Sequence, residues 1–177
     1  MQKTTERSNS KERFARLYDD FMPKVFRYVI CRVNNRLTAE DLTSTVFEKA
    51  LNNFERYTED KAAFSTWIFS ITRNTIIDYY RTNCRRQSVS LDEAHDVPSG
   101  QPSAQEEVEN EVEKKCLRDC LAKLPEKDQE IIRLKFYAEL DNRQIARILG
   151  LSESNVGVKL YRAIKKLRVD FEDVWNG

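Results

Sequence analysis

The chain has 177 residues, 33% of them charged and 40% hydrophobic, with only four Gly and four Pro. This composition suits a mainly helical protein of one domain or two small ones and excludes a β-rich fold. Its formal net charge of +1 hides an uneven distribution: residues 1–86 carry 16 Lys and Arg against 11 Asp and Glu, residues 87–115 carry 2 against 8, and residues 116–177 carry 12 against 10. The leading MQKTTERSNSKER has no apolar core, and no later run approaches the roughly 20 apolar residues of a membrane span, so neither export nor membrane insertion is expected and a cytoplasmic location is.

The spacing of Phe14, Leu17, Phe21, Val25, Tyr28, Val29 and Val33 predicts a helix over 11–33, with Pro23 marking a kink or a helix start. Thr38 is then placed to cap a second helix, TAEDLTSTVFEKALNNF, with Asp41 at the capping-box position and Leu42, Val46, Phe47, Leu51 and Phe54 as its buried stripe. Its opposite face carries Asp41, Ser44, Thr45, Glu48 and Lys49, which is either a solvated surface or a docking face. Beyond a polar link over 55–63, FSTWIFSITRNTIIDYYRTNCRR reads as a long helix with Phe64, Trp67, Ile68, Ile71, Ile76 and Ile77 directed inward. The rest of that helix mixes aromatics, amides and guanidiniums: Thr66, Ser70, Arg73, Asn74, Tyr79, Tyr80, Arg81, Arg85 and Arg86. Such groups can stack bases, hydrogen-bond their edges and neutralise phosphates.

Residues 87–105 hold Pro98, Gly100, Pro102 and four serines without periodicity, the composition of a flexible linker. Helical spacing resumes over 106–124 through Val108, Val112, Cys116, Leu117 and Leu121. Pro125 interrupts it, and Ile131, Ile132, Leu134, Phe136 and Leu140 follow as a supporting helix. The four cysteines, Cys31, Cys84, Cys116 and Cys120, are too scattered for a disulfide framework. Cys116 and Cys120 with the single histidine, His95, make no zinc spacing, so no metal or other cofactor is expected and buried thiols are.

The stretch DNRQIARILGLSESNVGVKLYRAIKKLR reads as a helix-turn-helix. Asp141 and Gln144 form a capping box, Ile145, Ala146 and Leu149 share one face, and Gly150 stops the first helix. Ser152 caps the second, along which Val156, Leu160, Ala163, Ile164 and Leu167 repeat at helical spacing. Its other face carries Ser154, Asn155, Val158, Lys159, Arg162 and Lys166, small polar groups followed by cations, as a helix lying in a DNA major groove requires. The expected fold class is all-α: two small helical domains joined by a flexible linker, the C-terminal one containing the helix-turn-helix. From these residues alone a repressor or activator acting by itself, and a helical protein adaptor with a merely solvated basic face, remain open.

The order of motifs resembles that of a bacterial RNA polymerase sigma factor of the small extracytoplasmic-function type. AEDLTSTVFEKAL followed by FSTWIFSITRNTIIDYYR is similar to the family's region two, and LPEKDQEIIRLKFYAELDNRQIARILGLSESNVGVKLYRAIKKL to its region four. The resemblance implies region two over 1–86, an acidic linker over 87–110 and region four over 111–177. It also implies a protein that is not an enzyme, whose partners are core RNA polymerase, promoter DNA and an anti-sigma factor. It assigns polymerase docking to Asp41, Ser44, Thr45, Glu48 and Lys49. Recognition and melting of the minus-10 element fall to Tyr57, Phe64, Thr66, Trp67, Ser70, Arg73, Asn74, Tyr79 and Arg81, and reading of the minus-35 element to Arg143, Gln144, Ser152, Ser154, Asn155, Val158, Lys159 and Arg162. Relatives often carry a basic residue where Gly157 stands, and that contact is missing here.

Overall fold

A computed structural model describes the backbone of residues 2–87 and 116–175, with side chains over 10–83 and 116–173; most of the expected linker, His95, Val108, Val112 and the side chains of Cys84, Arg85 and Arg86 lie outside the described residues. Every regular element among the described residues is helical: α1 (Gln2–Val33), α2 (Arg36–Asn53), a 3-10 turn (Phe54–Arg56), α3 (Phe64–Gln87), α4 (described over 116–122), α5 (Glu126–Phe136), α6 (Asn142–Leu149) and α7 (Glu153–Trp175). The first three helices form one domain and the last four another.

Helix α1 passes through Pro23 without a break. Proline removes one helical N–H, but Tyr18, Asp19, Asp20 and Pro23 are all exposed, so water can serve the carbonyl left without a donor. The helix ends where Asn34 turns left-handed (φ 50°) and its N–H bonds back to the Ile30 carbonyl at 2.9 Å. Asn35 then caps α2, its side-chain oxygen accepting from the Thr38 amide at 2.9 Å. The sequence had suggested Thr38 for that role. The asparagine pair places the cap three residues sooner, because the same two residues that stop α1 also supply the cap of α2.

The first domain closes around aromatic rings. Phe14, Phe54, Tyr57 and Phe64 are buried, and Trp67 packs its ring on Tyr57 with centroids 4.8 Å apart. Two residues expected inside this domain, Leu51 and Ile77, are exposed instead, as is Leu117 of the second. The stripe of α3 that faces the core is filled out by Phe69, Thr72 and Thr75, whose smaller or flatter side chains let α3 approach its neighbours. Thr72 satisfies its hydroxyl by donating to the Ile68 carbonyl at 2.8 Å.

In the second domain Asp141 and Gln144 form the expected capping box, and Gly150 takes a left-handed conformation (φ 66°) at the C-terminus of α6. The Ser152 hydroxyl accepts from the Asn155 amide at 3.2 Å at the start of α7. Val156 anchors α7 in the core, while Leu124, Ile132 and Ala163 make a second small cluster. Phe136 and Ile164, expected inside, are exposed. With Leu117 they rim an apolar groove of about 620 Å³ between α4, α5 and α7. Cys116 and Cys120 are buried free thiols, and no metal-ligand cluster occurs among the described residues. No described helix is long and apolar enough to cross a membrane.

The two domains pack on each other. Ile131 and Leu134 of α5 and Ile145 and Ala146 of α6 join the core of the first domain in one buried cluster. Around this apolar centre, Glu130 of α5, only 6% exposed, accepts hydrogen bonds from the Tyr28 hydroxyl and, at 2.9 Å, from Arg32, and lies 3.6 Å from the Arg73 guanidinium. Glu139 meets Lys24 at 2.7 Å and Arg27 at 2.6 Å, and the Gln144 side-chain amide donates to the Ser65 hydroxyl at 2.6 Å. Cys31 sits at the same boundary against Arg133, and burial pushes its thiol from 9.0 up to about 11, against the opposing pull of Arg133 and Arg32.

Two outcomes follow from this packing. Gly150→Ala is expected to lower stability by about 1 kcal/mol, since the only cost is an L-residue in the left-handed region and nothing lies within 4 Å of the added Cβ; urea denaturation of the two proteins measures it. Because Cys31 holds its proton more tightly when folded, its contribution to stability is present below pH 9 and is lost as the pH rises through about 11. At pH 7.5 iodoacetamide should therefore modify the Cys31 peptide roughly 10- to 100-fold more slowly in the native chain than in urea, read by mass spectrometry.

Candidate nucleic-acid interface

Between the end of α2 and the middle of α3 lies a groove of about 350 Å³ lined by Lys49, Asn53, Arg56, Trp67, Ile71, Asn74 and Thr75. Helical periodicity puts Trp67, Ile71, Asn74 and Thr75 on one stripe of α3, and the 3-10 turn swings Arg56 across to meet it. Two cations, two amides and an indole face can together neutralise a phosphate, pair with a base edge and stack on an unstacked base. Lys49 also donates to the Thr75 hydroxyl at 3.1 Å, which draws it toward α3 and away from the docking face to which the resemblance assigned it. Asn53 and Arg56 were not singled out in the sequence; an amide pair followed by a cation at a helix end is too common a pattern to notice without its partner helix.

The other residues assigned to the minus-10 element are distributed over three environments. Tyr57, Phe64 and Thr66 are buried, Tyr57 and Phe64 against the Trp67 ring that lines the groove: the Tyr57 hydroxyl donates to the Ala62 carbonyl at 3.1 Å, burial pushes its pKa up, and the Thr66 hydroxyl has no partner. The Ser70 hydroxyl is turned onto its own helix, donating to the Thr66 carbonyl at 2.7 Å. Arg73 faces Glu130, Tyr79 packs edge-on against Tyr80, and Arg81 is exposed beside Asp78 at 3.0 Å. Asn74 and Trp67 are thus the members of the set that line the groove.

On the helix-turn-helix, Arg143, Ser152, Ser154, Asn155, Val158 and Arg162 are exposed. Tyr161, 69% exposed and next to Arg162, extends the same face; it was not singled out in the sequence, where an aromatic between Leu160 and Ala163 carries no local mark of its exposure. Lys159 pairs with Asp128 at 3.1 Å, and Gln144 is occupied by its cap and by Ser65. Gly157 has 3.6 Å between a notional Cβ and the Asn142 side chain, so the position tolerates a larger residue and glycine is not sterically required.

On the outer face of α2, Asp41, Ser44 and Glu48 are exposed, and the Thr45 hydroxyl folds back to the Asp41 carbonyl at 2.9 Å. Leu37 is exposed, and Tyr18 and Leu51, also exposed, line with Ser44 and Glu48 a groove of about 460 Å³ between α1 and α2. Apolar side chains set among acidic ones form a surface suited to another protein rather than to DNA.

Residues 17–86 match the family model for sigma-70 region 2, and residues 114–167 the model for sigma-70 region 4. The chain is 33% identical over 152 residues to the RNA polymerase sigma factor SigZ of Bacillus subtilis, covering 86% of this chain and 83% of that one. It is 31% identical over 169 residues to the sigma factor BldN of Streptomyces coelicolor, covering 94% of this chain but spanning only 64% of that relative's length. Its fold matches that of the sigma factor RpoE from Bartonella quintana, solved in complex with the anti-sigma factor NepR. The TM-score is 0.69 at 18% identity, over 91% of this chain and 98% of that one. With both regions matched in order and a relative of this identity covered over most of its length, the chain belongs to the sigma-70 family as an RNA polymerase sigma factor of the extracytoplasmic-function group, a promoter-specific transcription initiation factor and not an enzyme.

Proposed function

We propose that the first domain, 1–86, docks on core RNA polymerase through the outer face of α2 and captures an unstacked minus-10 base in the groove between α2 and α3. In this reading the last domain, 111–177, reads the minus-35 duplex through α7, and residues 87–110 tether the two. The observation that carries it is the groove itself: Lys49, Asn53, Arg56, Trp67 and Asn74 bring charge, amide and indole to one concave surface. Ser154, Asn155, Val158, Tyr161 and Arg162 form the duplex-reading set. Tyr57 and Phe64 pack behind Trp67 and hold the groove's shape, while Asp41, Ser44, Thr45 and Glu48 meet the polymerase. The protein works in the cytoplasm, where its polymerase and promoter are. An anti-sigma factor is its regulator, a role supported by the solved relative bound to one.

Purified core polymerase with and without this chain, transcribing a library of randomised promoter fragments, tests the reading: initiation should select one pair of spaced motifs. Asn74→Ala should reduce promoter opening about 10-fold, the loss of roughly one hydrogen bond, while polymerase affinity stays within about 2-fold; equal loss of both would count against the groove. Arg162→Ala should weaken binding to minus-35 duplex and flatten the dependence of log affinity on log salt by about one unit, and an unchanged slope would argue against a phosphate contact there.

A further inference from the structure

Arg13 of α1 lines neither the groove between α2 and α3 nor that between α1 and α2, yet its guanidinium reaches the aromatic rings behind the first of them. It lies 5.8 Å from the ring centroids of both Phe54 and Tyr57, and its Nη2 meets the Glu59 carboxylate at 3.1 Å. Tyr57 in turn stacks on Trp67, the indole of the groove, at 4.8 Å with 30° between the ring planes, and packs on Phe64 at 5.5 Å. It also directly follows Arg56, another lining residue, at the end of the 3-10 turn. One ring therefore bears on both the tilt of the indole and the exit of the turn. The segment 57–63 carries two bonds that stay within it: the Lys61 amide donates to the Thr58 carbonyl at 3.2 Å, and the Tyr57 hydroxyl to the Ala62 carbonyl. Thr58, Glu59 and Asp60 are exposed, and Arg13 ties this segment to α1. The Arg13 and Glu59 side chains are 43% and 68% exposed, so the ion pair is weak on its own. Its strength lies in combination, because a planar guanidinium can lie on a ring while its N–H groups meet a carboxylate.

We infer that Arg13 is a positioning residue for strand opening: by holding Glu59 and the Tyr57 ring it fixes Trp67 at the angle on which an unstacked base lands. This role rests on the proposed capture of a minus-10 base in the groove between α2 and α3. Ordering the aromatic wall before DNA arrives lowers the conformational cost of capturing the base. Arg13 acts through Tyr57 and Trp67 and does not itself touch the strand.

The test uses the full chain with Trp175→Phe, so that fluorescence reports Trp67 alone, and compares Arg13→Ala, Arg13→Lys and Glu59→Gln with Asn74→Ala. The indole is read without DNA, by its emission maximum and its quenching by acrylamide. Opening is read in holoenzyme assembled with core polymerase on the randomised promoter library, as permanganate-reactive thymines above those seen with core alone. Arg13→Ala and Glu59→Gln should shift the emission maximum, raise quenching and lower opening about threefold or more, with polymerase affinity held within about twofold. Arg13→Lys, which keeps the charge, should restore most of each. The sign of the Glu59→Gln effect separates positioning from charge: removing a carboxylate favours a polyanion by charge alone, whereas losing the tie weakens opening. Unchanged emission and quenching in both Arg13→Ala and Glu59→Gln would overturn the hold on the indole. Altered emission with normal opening, while Asn74→Ala loses opening, would overturn positioning and leave the groove reading standing. A gain in opening with Glu59→Gln beside a loss with Arg13→Ala would make Arg13 a direct contact for strand phosphates and so overturn positioning. Normal opening in Asn74→Ala as well as in Arg13→Ala would overturn the groove reading, and the role of Arg13 with it.

Discussion

A carboxylate taken out of water has to be met by donors, and Glu130 finds all of its described partners on the other domain. Tyr28 and Arg32 come from one helix and Arg73 from another, so a single buried charge sets the register of α5 against both α1 and α3. The burial that makes Glu130 demanding also raises the pKa of Tyr28, which keeps its hydroxyl protonated as a donor throughout the physiological range. Around this hub the apolar contacts supply area, while the polar contacts supply the orientation in which that area is buried.

Helix α3 carries the heaviest set of demands. One stripe, with Phe64, Ile68, Phe69, Thr72 and Ile76, fills the core of the first domain. A second, with Trp67, Ile71 and Asn74, lines the groove toward α2. A third, with Ser65 and Arg73, meets the second domain. A helix used on three sides has little solvated face to spare, which accounts for its unusual composition: threonines where space is tight, aromatics where a ring can serve both core and surface, and, among its described side chains, cations where a carboxylate faces them, Arg73 at Glu130 and Arg81 at Asp78. The two surfaces of the first domain for which a function is proposed are separated by helix geometry, with the exposed acidic and apolar residues of α2 on the outside and the Lys49 and Asn53 edge turned to α3.

The second domain is simpler because local rules govern most of it. The capping box at Asp141, the left-handed Gly150 and the serine at the start of α7 each act within three or four residues, and together they set the angle between α6 and α7. The face of α7 that is then left outside carries small polar residues near its N-terminus and cations farther along, with Tyr161 between them. The exposed rim of Leu117, Phe136 and Ile164 departs from this rule. Their periodicity is that of core residues, yet the neighbours that surround them leave a groove open.

The chain by itself determined the all-α class, the two groups of helices, the caps of α6 and α7, most of the buried stripes and the composition of the two surfaces proposed to meet nucleic acid. Each of these rests on interactions spanning at most one or two helical turns, which is the range over which sequence spacing translates directly into geometry. Tertiary structure alone decided which residue of the Asn34–Asn35–Thr38 stretch caps α2, which periodic apolar residues stay exposed, that Lys49 belongs with Asn74 and Arg56, and that Glu130 and Glu139 reach back about a hundred residues to the cations of α1. Those outcomes depend on how whole helices approach one another, and a charged or polar side chain carries no local mark of the distant partner that will satisfy it.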